Sequence, residues 1–247
     1  MKQRNLYIIL AVIVLGVAAV AYFASNSKSA APAQLTEEVK LAEVPVTEIA
    51  ISGPASTPEA ELSGLAWYGE NLILLPQYPN LFDESGDGQL FYLPKAELSL
   101  YIGGARGAAL EPRPIKLIAP DLTDQIRNYQ GFESIGFSGD RVFMTIEAGE
   151  GKDMMGYIIS GTISPDLSTL TLDTTKLTEI PPQAKSENHS DESILVMEDK
   201  ILTFYEVNGE AIVSDPVVHV FDFDLNLTGT LPLENLEYRL TDTAIGV

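Results

Sequence analysis

The sequence predicts an all-β fold, a β-propeller, because one strand–turn–strand pattern occurs three times. Residues 132–147 are the clearest copy, and residues 133–147 align without a gap on residues 192–206. A third copy covers residues 62–77. Two further strand-like runs follow each copy, so each repeat contains four strands, as a propeller blade does.

Each copy has the pattern of a β-hairpin, with two short apolar strands around a polar turn. The turns are Gly69-Glu70-Asn71, Gly139-Asp140-Arg141 and Glu198-Asp199-Lys200. Since residues that repeat in register repeat in environment, Ile135 and Ile194 are expected on equivalent inner strands.

Propellers have four to eight blades, and this chain supplies three repeats and a beginning. Residues 238–247 start as the other repeats do, with Asp242 at the position of Glu133. We therefore expect an incomplete set of blades in residues 37–247, truncated at the C-terminus. The strand pattern of 39–52 fits an outer strand that closes the last blade. The alternative is a partial propeller of three to four blades, or a twisted sandwich.

The N-terminus predicts a transmembrane signal-anchor helix. Lys2 and Arg4 lie in a basic flank, 1–5, and the uncharged residues 6–24 would span roughly 28 Å as a helix. The positive charge keeps the flank in the cytoplasm and places the rest of the chain outside. Cleavage after Ala21 is the alternative, and it would give a secreted protein. Residues 25–36 are small and polar, which is typical of a flexible linker.

Composition excludes several function classes. The formal net charge is −20, a field that repels nucleic acid and attracts cations. The chain has no Cys, so a disulfide framework, a thiolate metal site and a lipidated cysteine are all excluded.

Acidic residues recur at two positions of the repeat. The first position holds Glu133, Glu192 and Asp242, just before an inner strand; the second holds Glu147 and Glu206, at the end of the next strand. An antiparallel hairpin returns the chain to its start, so the two positions are expected to lie together. Converging carboxylates favour a bound cation, and Ca²⁺ accepts oxygen ligands alone. The alternative is that these acids cap turns and guard strand ends.

The chain has two histidines. His189 lies in the most polar stretch of the chain and is the candidate for acid–base catalysis, with a plain loop histidine as the alternative. His219 alternates with apolar residues and is predicted to be structural.

Three short motifs resemble the esterase-like phytase family of propeller proteins. They are Leu62-Ser63-Gly64-Leu65, Gly131-Phe132-Glu133-Ser134-Ile135 and Ser190-Asp191-Glu192-Ser193-Ile194-Leu195, followed by strands that end at Glu147 and Glu206. The resemblance covers roughly residues 60–247. It implies an exported propeller that binds calcium and hydrolyses phosphate or carboxylate esters. In the first copy Ser63 stands at the position that is acidic in the other two. The dense Lys/Arg set that a polyanionic substrate requires is absent.

Two functions follow from these observations. The first is a membrane-anchored binding module whose channel holds a cation and a small ligand or peptide. The second is a calcium-dependent esterase or phosphatase. A propeller hosts either, so the fold does not decide between them.

Overall fold

The computed structural model describes residues 46–83 and 86–245. The basic flank 1–5, the apolar segment 6–24, the linker 25–36 and the start of the predicted domain 37–247 lie outside these residues. Among the described residues, no helix is long and apolar enough to cross a membrane. The strands belong to the unit Thr47–Val247.

Twelve β-strands in the described residues form three consecutive four-stranded antiparallel meanders. They are, in chain order, β1 (Leu62–Tyr68), β2 (Asn71–Pro76), β3 (Gln89–Pro94), β4 (Arg113–Ile118), β5 (Tyr129–Ser138), β6 (Arg141–Glu150), β7 (Asp153–Ile163), β8 (Thr169–Ile180), β9 (Asp191–Met197), β10 (Lys200–Tyr205), β11 (Val217–Asp222) and β12 (Leu227–Pro232). This order confirms the prediction of three four-stranded repeats, and the fold is all-β and propeller-like.

Short helices occupy the connections. The α-helices are Lys95–Ile102 and Leu122–Gln125, and the 3-10 helices are Pro54–Ser56, Pro58–Ala60 and Pro79–Leu81. The longest begins after Pro94 and ends where Gly104 takes a positive φ of 72° and donates to the Tyr101 carbonyl. The sequence patterns did not predict this helix.

The hairpin registers repeat in all three meanders. Leu65 pairs with Leu74, Ile135 with Met144, and Ile194 with Thr203. Ile135 and Ile194 therefore lie on equivalent inner strands, as predicted. The first two turns are closed by Gly69 and Gly139, which both have left-handed φ values.

The first two meanders form one sheet because their outer strands, β4 and β8, pair in parallel. The strand order is β1-β2-β3-β4-β8-β7-β6-β5, and the sheet curls until β1 and β5 lie side by side. A methyl group at Gly64 would be 3.2 Å from the Ser134 Cα. The third meander is a separate sheet, β12-β11-β10-β9, and its β9 approaches Gly136 of β5. The inner strands are thus neighbours in space.

The core lies between consecutive meanders. On β6, Val142 and Met144 pack into the cluster that the first two meanders share, whereas Phe143 points to the opposite face and packs with Ile194 and Phe221 of the third. Because both faces of β6 are covered, its first half reads as the apolar run Val142-Phe143-Met144 instead of alternating.

The expected role of residues 39–52 is wrong for the part that the structure describes. Ile51 forms an isolated parallel bridge with Leu110 and packs against the first meander near Leu74 and Phe91. It does not pair with β12, the outer strand of the third meander. Period-two alternation predicts that a segment buries one face, but it does not say which sheet receives that face.

Candidate functional site: a buried carboxylate cluster

Four glutamates at equivalent positions of the second and third meanders form the carboxylate cluster: Glu133, Glu147, Glu192 and Glu206. Electrostatic coupling connects them, because the charges of Glu147 and Glu206 act on the pKa of Glu133, and those of Glu133, Glu147 and Glu206 act on the pKa of Glu192. The hairpins therefore bring the two predicted positions together.

A β-bulge directs the first position into the cluster. The register between β5 and β6 skips Glu133, and the register between β9 and β10 skips Glu192. Ser63 is skipped at the equivalent place between β1 and β2. A bulge leaves one residue without a partner in the ladder and turns its side chain away from strict alternation.

The second position lies where the neighbouring strand returns. Glu147 pairs with Gly131 on β5, and the Glu206 amide donates to the Ser190 carbonyl at 2.9 Å. Gln77 occupies this position in the first meander. Its Nε2 donates to Glu133 Oε1 at 3.1 Å, so the site crosses from one repeat to the next.

Burial and mutual repulsion oppose ionisation of the cluster. Desolvation, followed by the Glu147 charge, raises the pKa of Glu133 to about 8. Desolvation, followed by the Glu206 charge, raises the pKa of Glu147 to about 7 and that of Glu192 to about 9. The cluster therefore retains protons at neutral pH unless another cation replaces them.

One arginine lies beside the cluster. Arg239 Nη1 is 2.8 Å from Glu206 Oε1, and Glu206 is fully buried. Arg239 Nη2 lies 3.1 Å from His189 Nε2, and His189 Nδ1 lies 2.5 Å from Ser186 Oγ. Because a guanidinium only donates, His189 Nε2 accepts this bond, and Nδ1 carries the proton of the neutral ring. His189 is thus beside the cluster, with its Nε2 3.8 Å from Glu206 Oε2.

Two buried oxygens next to Glu206 in the chain have no hydrogen-bond partner in the part that the structure describes. They are Tyr205 OH and Asn208 Oδ1. A hydrogen bond from the Ser190 side chain lowers the pKa of Glu147, opposing the effects of burial and of Glu206. Buried polar atoms are nearly always paired, so this region has capacity to bind a further polar or charged group.

The ligand chemistry of the cluster is entirely oxygen, which suits a hard cation. However, across residues 46–83 and 86–245 no group of three or more His, Asp or Glu side chains is arranged to hold a metal ion. The carboxylates are close enough to couple but do not point at one common centre.

Comparisons with known proteins identify no family for this chain. No family model matches, and no curated protein matches. Among solved structures, the chain is similar to a GH32 beta-fructofuranosidase of Bombyx mori, BmSUC1, a mutant of which was solved in complex with sucrose. The identity is 13%, the match covers 71% of this chain and 36% of that one, and the TM-score is 0.36. A likeness this weak does not establish a shared family or function, and membership of the esterase-like phytase family is not shown.

Asp242 does not join the other acids. It is exposed, and its Oδ1 accepts a hydrogen bond from the Thr243 amide at 2.7 Å. The segment does lie beside β9, because Ser193 Oγ donates to Thr243 Oγ1 at 2.8 Å. Residues 241–245 form no strand, so no bulge redirects Asp242 as it redirects Glu133.

Sequence reasoning assigned no site role to three residues of this region, although two of them, Ser190 and Asp191, belong to a motif that it singled out. Asp191 is buried, accepts from Thr203 Oγ1 at 2.8 Å and lies 3.7 Å from Nδ1 of His219, which is buried on β11 as predicted. Ser190 and Arg239 were likewise given no role. A signal for Arg239 was present, because it is the single Lys or Arg after Lys200.

Proposed function

We propose that this chain is a binding module of propeller-like fold whose carboxylate cluster takes up a cation. The observation that carries the proposal is the convergence of four glutamates from two repeats, three of them with a raised pKa. Such a set binds protons, metal ions or both, and its electrostatic cost falls when positive charge enters.

Ca²⁺ is the metal ion that this donor set suits best, because carboxylate and amide oxygens are the ligands it prefers. Glu133, Glu147 and Glu192 would hold it, while Arg239 balances the charge of Glu206. The Ser190 hydroxyl, which hydrogen-bonds to Glu147, is a further oxygen ligand at the site. Binding requires side-chain rotation, because no three donors share a centre in the described residues.

A calcium titration of the purified full chain tests the proposal. A ligand that binds only the native state adds about 2.7 kcal/mol at a hundredfold excess over its Kd. For a chain of this size, that is a rise in Tm of roughly 5–10 °C. We expect the rise at pH 8 and millimolar Ca²⁺, and we expect Glu133→Gln/Glu192→Gln to abolish it.

The matched control is Glu210→Gln/Glu234→Gln, which removes two exposed acids and should preserve the rise. A Tm that ignores Ca²⁺, or that still rises in the Glu133→Gln/Glu192→Gln variant, would show that the cluster does not bind this ion.

A calcium-dependent esterase or phosphatase is the alternative function, and the position of His189 favours it. The imidazole is the side chain best able to accept a proton near neutral pH, and it lies next to the carboxylates. To act as a base, its Nε2 would have to release Arg239. Calcium-dependent hydrolysis of p-nitrophenyl esters that is lost in His189→Asn would select this alternative over a binding module.

We propose in addition that residues 6–24 anchor the chain in the cell membrane and that residues 25–36 tether the domain outside. The uncharged segment and its basic flank support this arrangement. We also propose that a small ligand or peptide binds where the inner strands β1, β5 and β9 come together. This part of the proposal is independent of the cation site.

A further inference from the structure

One side of the third meander is apolar, and part of it is open to solvent. Leu202 pairs with Leu195 and with Val220, so these three side chains share this side of the sheet, while the other side packs on the second meander. Met197 and Leu231 lie on the same side as Leu202 and are 41% and 49% exposed. Together they line a cavity of about 320 Å³. We call this side the open face.

The repeat shows what an open face of this kind receives. Leu202 occupies the repeat position of Ile73 and Phe143. Both of these side chains are fully buried, because Ile73 packs in the core between the first two meanders and Phe143 in the core between the second and third. Residues that repeat in register repeat in environment. The open face therefore has the residues that receive another four-stranded meander.

Polar contacts at the hairpin turns also join consecutive meanders. Tyr68 donates to Asp140 of the second meander, and Arg141 donates to the Phe223 carbonyl of the third. Lys200 occupies the repeat position of Arg141, and it is exposed. Its side chain forms no hydrogen bond or ion pair with the part of the chain that the structure describes. It is thus available to a meander that covers the open face.

The first meander presents an apolar surface on the side that faces away from the second. Leu65 and Trp67 lie on this side of β1, because their partners on β2 pack in the cluster that residues 49–55 and the helix Lys95–Ile102 form with the first meander. This cluster covers β2 and β3. Leu65 and Trp67 remain 47% and 50% exposed, so the inner strand of this side is bare.

The two surfaces have complementary charge at the hairpin turns. Glu70 occupies the repeat position of Asp140, which accepts its hydrogen bond from the preceding meander. The Glu70 side chain is 81% exposed. When the first meander follows the third, Lys200 and Glu70 are the residues at the crossing positions. Opposite charges at these positions favour that contact and fix its register.

We propose that two copies of this chain associate head to tail, with the open face of each copy against strand β1 of the other. Both interfaces inside the molecule join the side that carries Ile73 or Phe143 to the opposite side of the next meander, and this contact repeats that arrangement. Two such contacts around a two-fold axis close a ring of six meanders, which lies within the four to eight blades of propellers. The proposal does not depend on the cation site of the carboxylate cluster.

The repeat also specifies two side chains that should meet. A Cβ at Gly136 of the second meander would lie 3.5 Å from Ile194 of the third. Leu195 has the repeat position of Gly136, and Leu65 has that of Ile194. Leu195 of one copy should therefore lie next to Leu65 of the other.

Crosslinking through single cysteines tests this contact. The chain has no cysteine, so an introduced one is the only thiol. Full-length Leu65→Cys and Leu195→Cys, carrying tags of different mass, are mixed and treated with a short bismaleimide. We expect the mixed product in several-fold excess over the product of either variant alone. A contact made by residues 6–24 would not select these two positions.

Leu227→Cys is the matched control for Leu195→Cys. Leu227 is 44% exposed on the same sheet, but it pairs with Phe221, which packs on the second meander. It should give no mixed product with Leu65→Cys. Equal yields from Leu195→Cys and Leu227→Cys would overturn the proposal, and so would efficient crosslinking of Leu195→Cys with itself, which would mean that two open faces pair with each other.

Charge exchange tests the pairing of Lys200 with Glu70, with sedimentation of the full chain in mild detergent as the readout. Glu70→Lys and Lys200→Glu each place like charges together, so each should raise the Kd of the dimer several-fold. Glu70→Lys/Lys200→Glu restores the attraction and should return the Kd to within about twofold of that of the unchanged chain. Both side chains are exposed, so the variants should fold. A chain that is monomeric at about 100 μM, or a double variant in which the two losses add, would overturn the proposal.

Discussion

Glu206 is the fully buried member of the carboxylate cluster, and Arg239 is the cation closest to it. Glu133, Glu147 and Glu192 have no such partner among the described residues, and their raised pKa values follow from burial and from one another. One guanidinium is thus the single positive charge placed beside four acids in the described residues. The other three are neutralised by protons at low pH and require another cation at high pH.

The first prediction concerns pH. The pKa values of Glu133, Glu147 and Glu192 are about 8, 7 and 9 in the folded protein, against 4.5 for an ordinary glutamate side chain. Between about pH 4.5 and pH 9 the folded state therefore binds more protons than the unfolded state, and stability falls as pH rises. Since one pKa unit corresponds to about 1.4 kcal/mol, we expect a loss of several kcal/mol across this range.

Urea unfolding from pH 5 to pH 9, with a chelator present, measures this effect. Glu192→Gln removes the acid with the highest of the three values, so its stability should fall less steeply with pH than that of the unchanged chain. Glu234→Gln should follow the unchanged chain. A stability that rises between pH 6 and pH 9 would show that the cluster is ionised without cost.

At the scale of the strands, the β-bulge is what makes the cluster. It occurs at the same repeat position in all three hairpins, where it turns Ser63, Glu133 and Glu192 out of strict alternation. The end of β2 in the preceding repeat passes close to the bulge and supplies a hydrogen-bond acceptor there. The Phe132 amide donates to the Gln77 carbonyl at 2.9 Å. Formation of the cluster therefore requires both the bulged hairpin and the hairpin of the preceding repeat.

The second prediction concerns Gly131, which allows this passage. Its φ is 120°, and a Cβ there would lie 2.4 Å from Gln77 Cγ and 2.8 Å from the Gln77 carbonyl oxygen. Gly131→Ala combines backbone strain with an overlap against backbone, so we expect a loss of at least about 3 kcal/mol. It should also displace Gln77 from Glu133 and weaken any calcium-induced rise in Tm.

Gly139→Ala is the matched control. Gly139 also has a positive φ, 56°, but a Cβ there meets nothing within 4 Å, so only the backbone cost of about 1–2 kcal/mol applies. Denaturant unfolding of the two variants compares them directly. Equal losses would mean that the approach of Gln77 does not constrain β5.

At the scale of the whole molecule, the three meanders bury their faces against each other in sequence order. The cores lie between the first and second meanders and between the second and third, so each repeat depends on its neighbour for stability. The chain has a formal charge of −20, and its buried acids include Glu133, Glu147, Asp191 and Glu206. An acidic exterior and a buried acidic site both favour cationic partners.

The third prediction concerns topology in the cell. If residues 6–24 are a signal-anchor, alkaline phosphatase fused after residue 40 should be active, because this reporter folds only outside the cytoplasm. A fluorescent protein that folds only in the cytoplasm, fused at the same place, should be dark. The opposite pattern for the two fusions would show that the segment does not export the chain.

The sequence by itself determined the repeats, their four strands and the equivalence of Ile135 and Ile194. These features depend on turns of two or three residues and on side-chain alternation, which are local. The same alignment found Glu133 and Glu147 as a pair, because a hairpin returns its chain to a fixed position.

Only the tertiary structure decided which side chains meet between segments that are distant in sequence. Arg239 reaches Glu206, Ile51 pairs with Leu110, and Asp242 stays exposed, although nothing local to these residues distinguishes those outcomes. The pocket between the β1–β2 and β5–β6 turns likewise exists because β1 and β5 come together from separate repeats. Such contacts follow from how long loops close and how faces pack, and their energies are not encoded in the pattern of any one segment.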